Sequence, residues 1–294
     1  MDKMDKDRSL AAQIRLWVTE NPGRHFNLNT LDSEVGIYDQ GDKNNRWHII
    51  RRLQTEKLVD RYRGSYRVVA DGSVPLNWRQ ADASCIKTLK FPFQLEKYVR
   101  ILPKNIIVVA GSKDAGKTAL LLNFIRLNMN MHKIFYYSSE MGELELKNRL
   151  VKFEQEGLCK LDDWKFEARE RAFDFQDVVG KNPDDIHIID FLEVHEDFWQ
   201  VGGLIFQIWD KLKTGVAIIA LQKNPGVEFG LGGSRSIEKA RLYLSIDTGK
   251  LTIKSGKNWA QEGLNPTNKS WGFKLVGGCK FIIKNEIEDK EEFF

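Results

Sequence analysis

Eight consecutive residues, Gly111-Ser112-Lys113-Asp114-Ala115-Gly116-Lys117-Thr118, constrain this chain more than any other feature. They satisfy the pattern GxxxxGK[ST] at every fixed position. A β-branched run, Ile106-Ile107-Val108-Val109, precedes them, and an apolar helical stretch, Ala119 to Leu127, follows. Strand, glycine loop and helix form the context in which this pattern wraps phosphate: the glycines let backbone N–H groups close on the oxygens, and the helix N-terminus adds a favourable dipole. The whole stretch is therefore the expected ATP cradle. Within it, Lys117 neutralises the β and γ phosphates and the Thr118 hydroxyl ligates Mg²⁺.

Further apolar runs alternate with helical stretches: Ile134-Phe135-Tyr136-Tyr137, Ile186-His187-Ile188-Ile189 and Val216-Ala217-Ile218-Ile219. Near-continuous apolar strands between helices signal an α/β fold whose parallel sheet is covered on both faces. Leu242–Ile246, Leu251–Lys254 and Lys280–Lys284 are candidates to extend it. Ligands of such sheets sit beyond the carboxyl ends of the strands. Asp190 ends one strand and is the candidate second magnesium ligand, with Asp185 or Glu193 as alternatives. Glu140 ends the strand after the phosphate loop. A carboxylate there orients or deprotonates water in line with the γ-phosphate, or else merely caps the next helix.

Ahead of this core, residues 1–72 read differently. Ser9–Glu20 places Leu10, Ile14 and Trp17 at helical spacing, and Asn21-Pro22-Gly23 stops that helix. A short strand at His25–Asn29 follows, then a helix capped by Asn29 or Thr30. Asn44–Lys57 reads as a basic helix with apolar Trp47, Ile49, Ile50 and Leu53 beside exposed Arg46, Arg51 and Arg52. Leu58–Val69 reads as a hairpin turning at Gly64-Ser65. Lys43–Arg67 holds eight basic residues against two acidic ones. The order resembles a winged helix-turn-helix domain. That resemblance implies duplex DNA contact through Asn44, Asn45, Arg46 and Arg51 of the recognition helix and Arg61 and Arg63 of the wing, or else a protein-docking role. Residues 73–85 read as a linker, and 86–284 as the core.

At 294 residues, 42% apolar and 29% charged, the chain suits two globular domains. No apolar run approaches the ~18 residues of a membrane span, and Met1–Arg8 carries no signal-peptide pattern. The expectation is cytoplasmic. Cys85, Cys159 and Cys279 are scattered and suit neither disulfides nor a zinc site. A net charge of +4 does not by itself imply nucleic acid.

Ser138-Ser139-Glu140-Met141 followed by Glu145-Leu146-Lys147-Asn148-Arg149-Leu150 resembles the strand and helix after the phosphate loop of DnaB-type replicative helicases. Asp190-Phe191-Leu192-Glu193, Leu221-Gln222-Lys223-Asn224, Gly233-Ser234-Arg235-Ser236-Ile237-Glu238 and Lys254-Ser255-Gly256-Lys257-Asn258 are similar to that family's later motifs, in its order. The resemblance spans about Ile86 to Ile283. It implies a RecA-like P-loop core working as a homo-oligomeric ring or filament, with Glu140 as catalytic glutamate and Gln222 as γ-phosphate sensor. It also implies that Lys254 and Lys257 act on a neighbour's nucleotide, and that the glycine-rich loop Lys223–Ile237, with Lys223 and Arg235, meets single-stranded DNA. Two departures stand out: Lys257 replaces the usual finger arginine, and the winged-helix-like segment replaces the family's helical collar. The acidic segment 285–294, ending Phe293-Phe294, resembles partner-recruiting tails and equally suits a solvated end. Together these point to a DNA-dependent ATPase, helicase-like or loader-like, of a phage or mobile element. The alternatives are an ATP-switched DNA-binding regulator and a RecA-like recombination ATPase.

Overall fold

Proline and glycine punctuation separates short amphipathic elements in the first third of the chain from long buried strands in the rest, and the fold follows that division. The computed structural model describes residues 3–70, 72–73, 75–82, 88–194 and 198–287. It separates into two units, Met1–Ala81 and Asp82–Phe294. Cys85 and the acidic and aromatic residues from Glu288 to Phe294 lie outside the described residues.

The first unit runs α1 (Lys3–Glu20), β1 (His25–Phe26), α2 (Leu28–Val35), α3 (Gln40–Thr55), β2 (Val59–Tyr62) and β3 (Ser65–Val68). Its three strands form an antiparallel sheet in the order β1-β3-β2. Ile14, Leu31, Ile50, Leu53 and Val59 converge in its core. Several local expectations shift. Asn27, not Asn29 or Thr30, caps α2, accepting the Thr30 N–H at 2.8 Å. Asp39 caps α3 through the Asp42 N–H at 2.8 Å, which starts that helix four residues ahead of Asn44. The hairpin turns at Arg63-Gly64, with φ of 44° and 82°, rather than at Gly64-Ser65. Two consecutive left-handed residues make the tight turn whose twist matches paired strands.

Arg46 also departs from expectation. It is not exposed: its guanidinium pairs with Asp32, and both side chains are 11% exposed. Trp47 does the reverse. Read with the apolar positions of the helix, it is exposed and carries the Arg51 guanidinium 4.4 Å over its ring. Asn44, Arg51, Arg61 and Arg63 lie on the surface as expected.

The second unit is built on a nine-stranded sheet. Its strands are β4 (Ile106–Gly111), β5 (Ile134–Ser138), β6 (Glu167–Glu170), β7 (Ile186–Asp190), β8 (Val216–Gln222), β9 (Ala240–Asp247), β10 (Lys250–Gly256), β11 (Ser270–Val276) and β12 (Lys280–Ile287). Their spatial order is β12-β11-β10-β9-β4-β8-β7-β5-β6. From β9 to β6 every pairing is parallel, and β10 to β12 add antiparallel neighbours. The sheet is therefore mixed, with a parallel centre. Alternate residues of β4 point to opposite faces. Ile107 and Val109 pack with α4 (Lys117–Asn128) and α5 (Glu143–Gln155), while Ile106, Val108 and Ala110 pack with α6 (Phe175–Lys181) and α7 (Val201–Lys211). β12 continues through Asn285, Glu286 and Ile287, which pair with β11, so the first three residues of the segment expected as a free tail belong to the sheet. Among the described residues no helix is long and apolar enough to cross a membrane.

Candidate nucleotide site

The phosphate loop leaves the carboxyl end of β4, the central strand, and two of its glycines are required by geometry. Gly116 holds φ at 98°, in the left-handed region, and a Cβ there would meet Leu275 at 3.2 Å. A Cβ on Gly111 would stand 2.6 Å from both Ile246 Cγ2 and Lys117 Cγ. That close approach lets Lys117 fold back over the loop, where its Nζ donates to the Gly111 and Ser112 carbonyls at 2.9 Å each. The Gly111 carbonyl also accepts the Lys223 N–H at 3.1 Å. Burial lowers the Lys117 pKa, and the negative charges of Asp190, Glu140 and Asp114 partly oppose that shift. An ammonium so held is poorly solvated and gains when phosphate oxygens arrive.

Asp190 is 5% exposed at the end of β7. Its Oδ2 accepts the Tyr136 hydroxyl at 2.7 Å, and the Thr118 side chain bonds the same carboxylate. Burial raises the Asp190 pKa; those two hydrogen bonds and the Lys117 charge pull it back. The turn that carries Glu140 is pinned across strands. Ser139 N–H donates to the Asp190 carbonyl at 3.1 Å, the Ser139 hydroxyl accepts the Phe191 N–H at 3.2 Å, and Ser138 Oγ accepts the Met141 N–H at 2.7 Å. Glu140 itself is exposed at the mouth.

These groups gather in one cleft of about 410 Å³. Lys113, Asp114, Gly116, Lys117, Thr118 and Ala119 line it on one side, with Glu140, Asp190 and Gln222 from three neighbouring strand ends. Neither Asp185, at the far end of β7, nor Glu193 lines it. A hydroxyl and a carboxylate side by side are hard oxygen donors, the donor set that suits Mg²⁺ when phosphate and water supply the rest.

No protein-family model and no curated protein sequence matches this chain. Among solved structures, a KaiC-like protein from the archaeon Pyrococcus horikoshii matches 68% of this chain and 100% of its own, at 14% identity and a TM-score of 0.50. The RadB recombinase matches 61% of this chain and 91% of its own, at 13% identity and a TM-score of 0.45. The core has a RecA-like P-loop fold. Identity this low carries the fold alone.

Other expected site residues stand apart from the cleft. Lys223, expected to be a DNA-facing cation, is sealed inside. Its side chain is 1% exposed, and its Nζ donates to Asp247 Oδ2 at 2.6 Å and to the Val227 carbonyl at 2.7 Å. It anchors the glycine-rich loop instead of presenting charge. Arg235 is exposed on the turn Gly233–Ile237. Lys254 pairs with Glu228 of the same loop at 2.6 Å, and Lys257 is exposed just beyond β10. Sequence reasoning gave no role of their own to Arg149, Leu275 and Gly278, which line the cleft, or to Tyr136 beneath Asp190. Arg149 pairs with Glu145 at 2.9 Å one turn back on α5. That i,i+4 pairing with Glu145 is the local signal that orients its guanidinium.

Proposed function

We propose that this chain is a Mg²⁺-using, DNA-dependent ATPase that works as a homo-oligomer, helicase-like or loader-like, in replication or recombination. One observation carries the reading: Lys117, Thr118, Glu140, Asp190 and Gln222, far apart in sequence, line a single cleft at the carboxyl edge of a parallel sheet. In that reading the loop amides and Lys117 bind the β and γ phosphates, and Thr118 and Asp190 hold the cation, which supplies charge neutralisation on the transferred phosphoryl group. Glu140 takes the proton of the attacking water, and Gln222 reads the γ-phosphate.

The first unit supports duplex contact. Its order α1-β1-α2-α3-β2-β3 is that of a winged helix, and Asn44, Arg51, Arg61 and Arg63 sit on the surface of α3 and the hairpin. Cations there fit phosphates, and the amide fits base edges. Single-stranded DNA would meet the glycine-rich loop through Arg235 and backbone amides, with Lys223 withdrawn.

ATP hydrolysis by wild type, Lys117→Ala and Glu140→Gln, with and without single-stranded DNA, tests the reading. Lys117→Ala should lose nucleotide binding. Glu140→Gln should keep binding and lose about 10²–10⁴-fold in turnover, the usual contribution of a general base. A wild type whose rate ignores DNA, and which binds no DNA at low salt, refutes it. The second reading, a nucleotide-switched DNA-binding regulator, is favoured by Lys257, which lacks the planar fork of arginine, and by the cis pairing of Lys254 with Glu228. A strand-displacement assay separates the two, since the regulator binds duplex and displaces nothing.

A further inference from the structure

Asp190 is a nearly buried carboxylate that must stay ionised and aimed at one point to hold a cation, and burial works against its charge. Something must fix it. The β5–β7 register pairs Ser138 with Asp190 and Tyr136 with Ile188, so Tyr136 lies two residues back on the same face of the neighbouring strand. From there its hydroxyl reaches Asp190 Oδ2 at 2.7 Å. The Tyr136 ring is fully buried and meets Phe166 edge-on at 6.0 Å, which holds the phenol in that direction.

We infer that Tyr136 is the positioning residue of the cation site: its hydroxyl fixes the rotamer of Asp190 so that the other carboxylate oxygen faces the cleft. This rests on the ATPase reading above. A phenol has a single O–H, and Tyr136 spends it on one oxygen. Thr118 is the other donor to this carboxylate, and it is also the expected second ligand. When Thr118 turns to a cation, Tyr136 is the donor that stays with Asp190. Burial and the adjacent carboxylate push the Tyr136 pKa well above its ordinary value, so the phenol keeps its proton and remains a donor. Partners of ligating carboxylates matter nearly as much as the ligands, and their loss typically costs about 10–100-fold in metal affinity or activity.

The test is Tyr136→Phe, which keeps the ring and removes the hydroxyl, read by fluorescent-nucleotide binding in EDTA and across a Mg²⁺ or Mn²⁺ titration. Thermal unfolding checks the fold. The expected result is unchanged affinity in EDTA, with the metal concentration for half-maximal effect raised about 10–100-fold. In an Asp190→Asn background the same substitution should add nothing further, because the group it positions is gone. A metal titration identical to wild type overturns the inference. So does an equal loss of affinity in EDTA and in metal, which would mark Tyr136 as packing only. Wild type that binds no nucleotide in either buffer overturns the ATPase reading itself, a distinguishable outcome.

Discussion

Lys223 and Asp247 offer a sharp test, because the two ends of their ion pair differ in burial. The Lys223 side chain is 1% exposed and that of Asp247 is 38% exposed. In Lys223→Met an apolar chain takes the place of the lysine stem, and Asp247, whose Oδ1 is already buried without a partner among the described residues, meets water through the exposed part of its side chain. The substitution removes two ammonium hydrogen bonds but also the cost of burying the charge, for a net loss of about 2 kcal/mol. For a unit of this size that corresponds to roughly 4–8 °C in Tm. Asp247→Asn leaves a sealed ammonium with the Val227 carbonyl and a neutral amide, and an uncompensated buried charge costs about 3–5 kcal/mol. The double variant Lys223→Met/Asp247→Asn should recover most of that difference. The expected order of Tm is wild type, then Lys223→Met and the double variant, then Asp247→Asn lowest. DNA binding by Lys223→Met across a salt series supplies the second readout, and its log–log slope should match wild type. An Asp247→Asn variant more stable than Lys223→Met would mean that the ammonium is not sealed against Asp247, and a slope reduced by about one unit would mean that Lys223 meets a phosphate.

Asp190→Asn should raise the Tm of the nucleotide-free protein at pH 7 while removing Mg²⁺-dependent tightening of nucleotide. Burial raises the Asp190 pKa, so its ionised form opposes folding. That penalty is absent below the unfolded-chain value of about 3.9 and fully present once pH passes the folded value. The advantage of the variant should therefore shrink as pH falls toward 4, and an advantage that grows on acidification would contradict the argument. Gly256→Ala puts a Cβ 2.6 Å from Val99 Cγ2 and 2.8 Å from Pro266 Cγ. Overpacking of that kind costs about 1–3 kcal/mol, or about 2–12 °C in Tm, with nucleotide affinity unchanged in the same sample.

The phosphate loop, four of the parallel strands and the strand-end positions of Glu140 and Asp190 were legible because each follows from local pattern plus one rule about strand ends, whereas Gln222 came from the family resemblance and the strand order only from the fold. What escaped depended on partners distant in the chain. Lys223 in a glycine-rich loop reads as a surface cation; Asp247, on another strand, draws it inside. Arg46 reads as exposed until Asp32 closes on it. β6, Glu167-Ala168-Arg169-Glu170, is exposed along its length and shows no apolar alternation, so only its pairing with β5 makes it a strand. Tyr136 sits in an apolar run where a tyrosine reads as packing. Its hydroxyl becomes informative only once the β5–β7 register is known.

One acceptor joins the two loops of the core. The Gly111 carbonyl takes both the Lys117 ammonium and the Lys223 N–H, the first residue of the glycine-rich loop. A phosphate that draws Lys117 away leaves that oxygen to Lys223 alone. Occupancy of one loop then alters what restrains the other, and such coupling is reciprocal. Whatever factor nucleotide applies to an occupant of the glycine-rich loop, that occupant must apply to nucleotide.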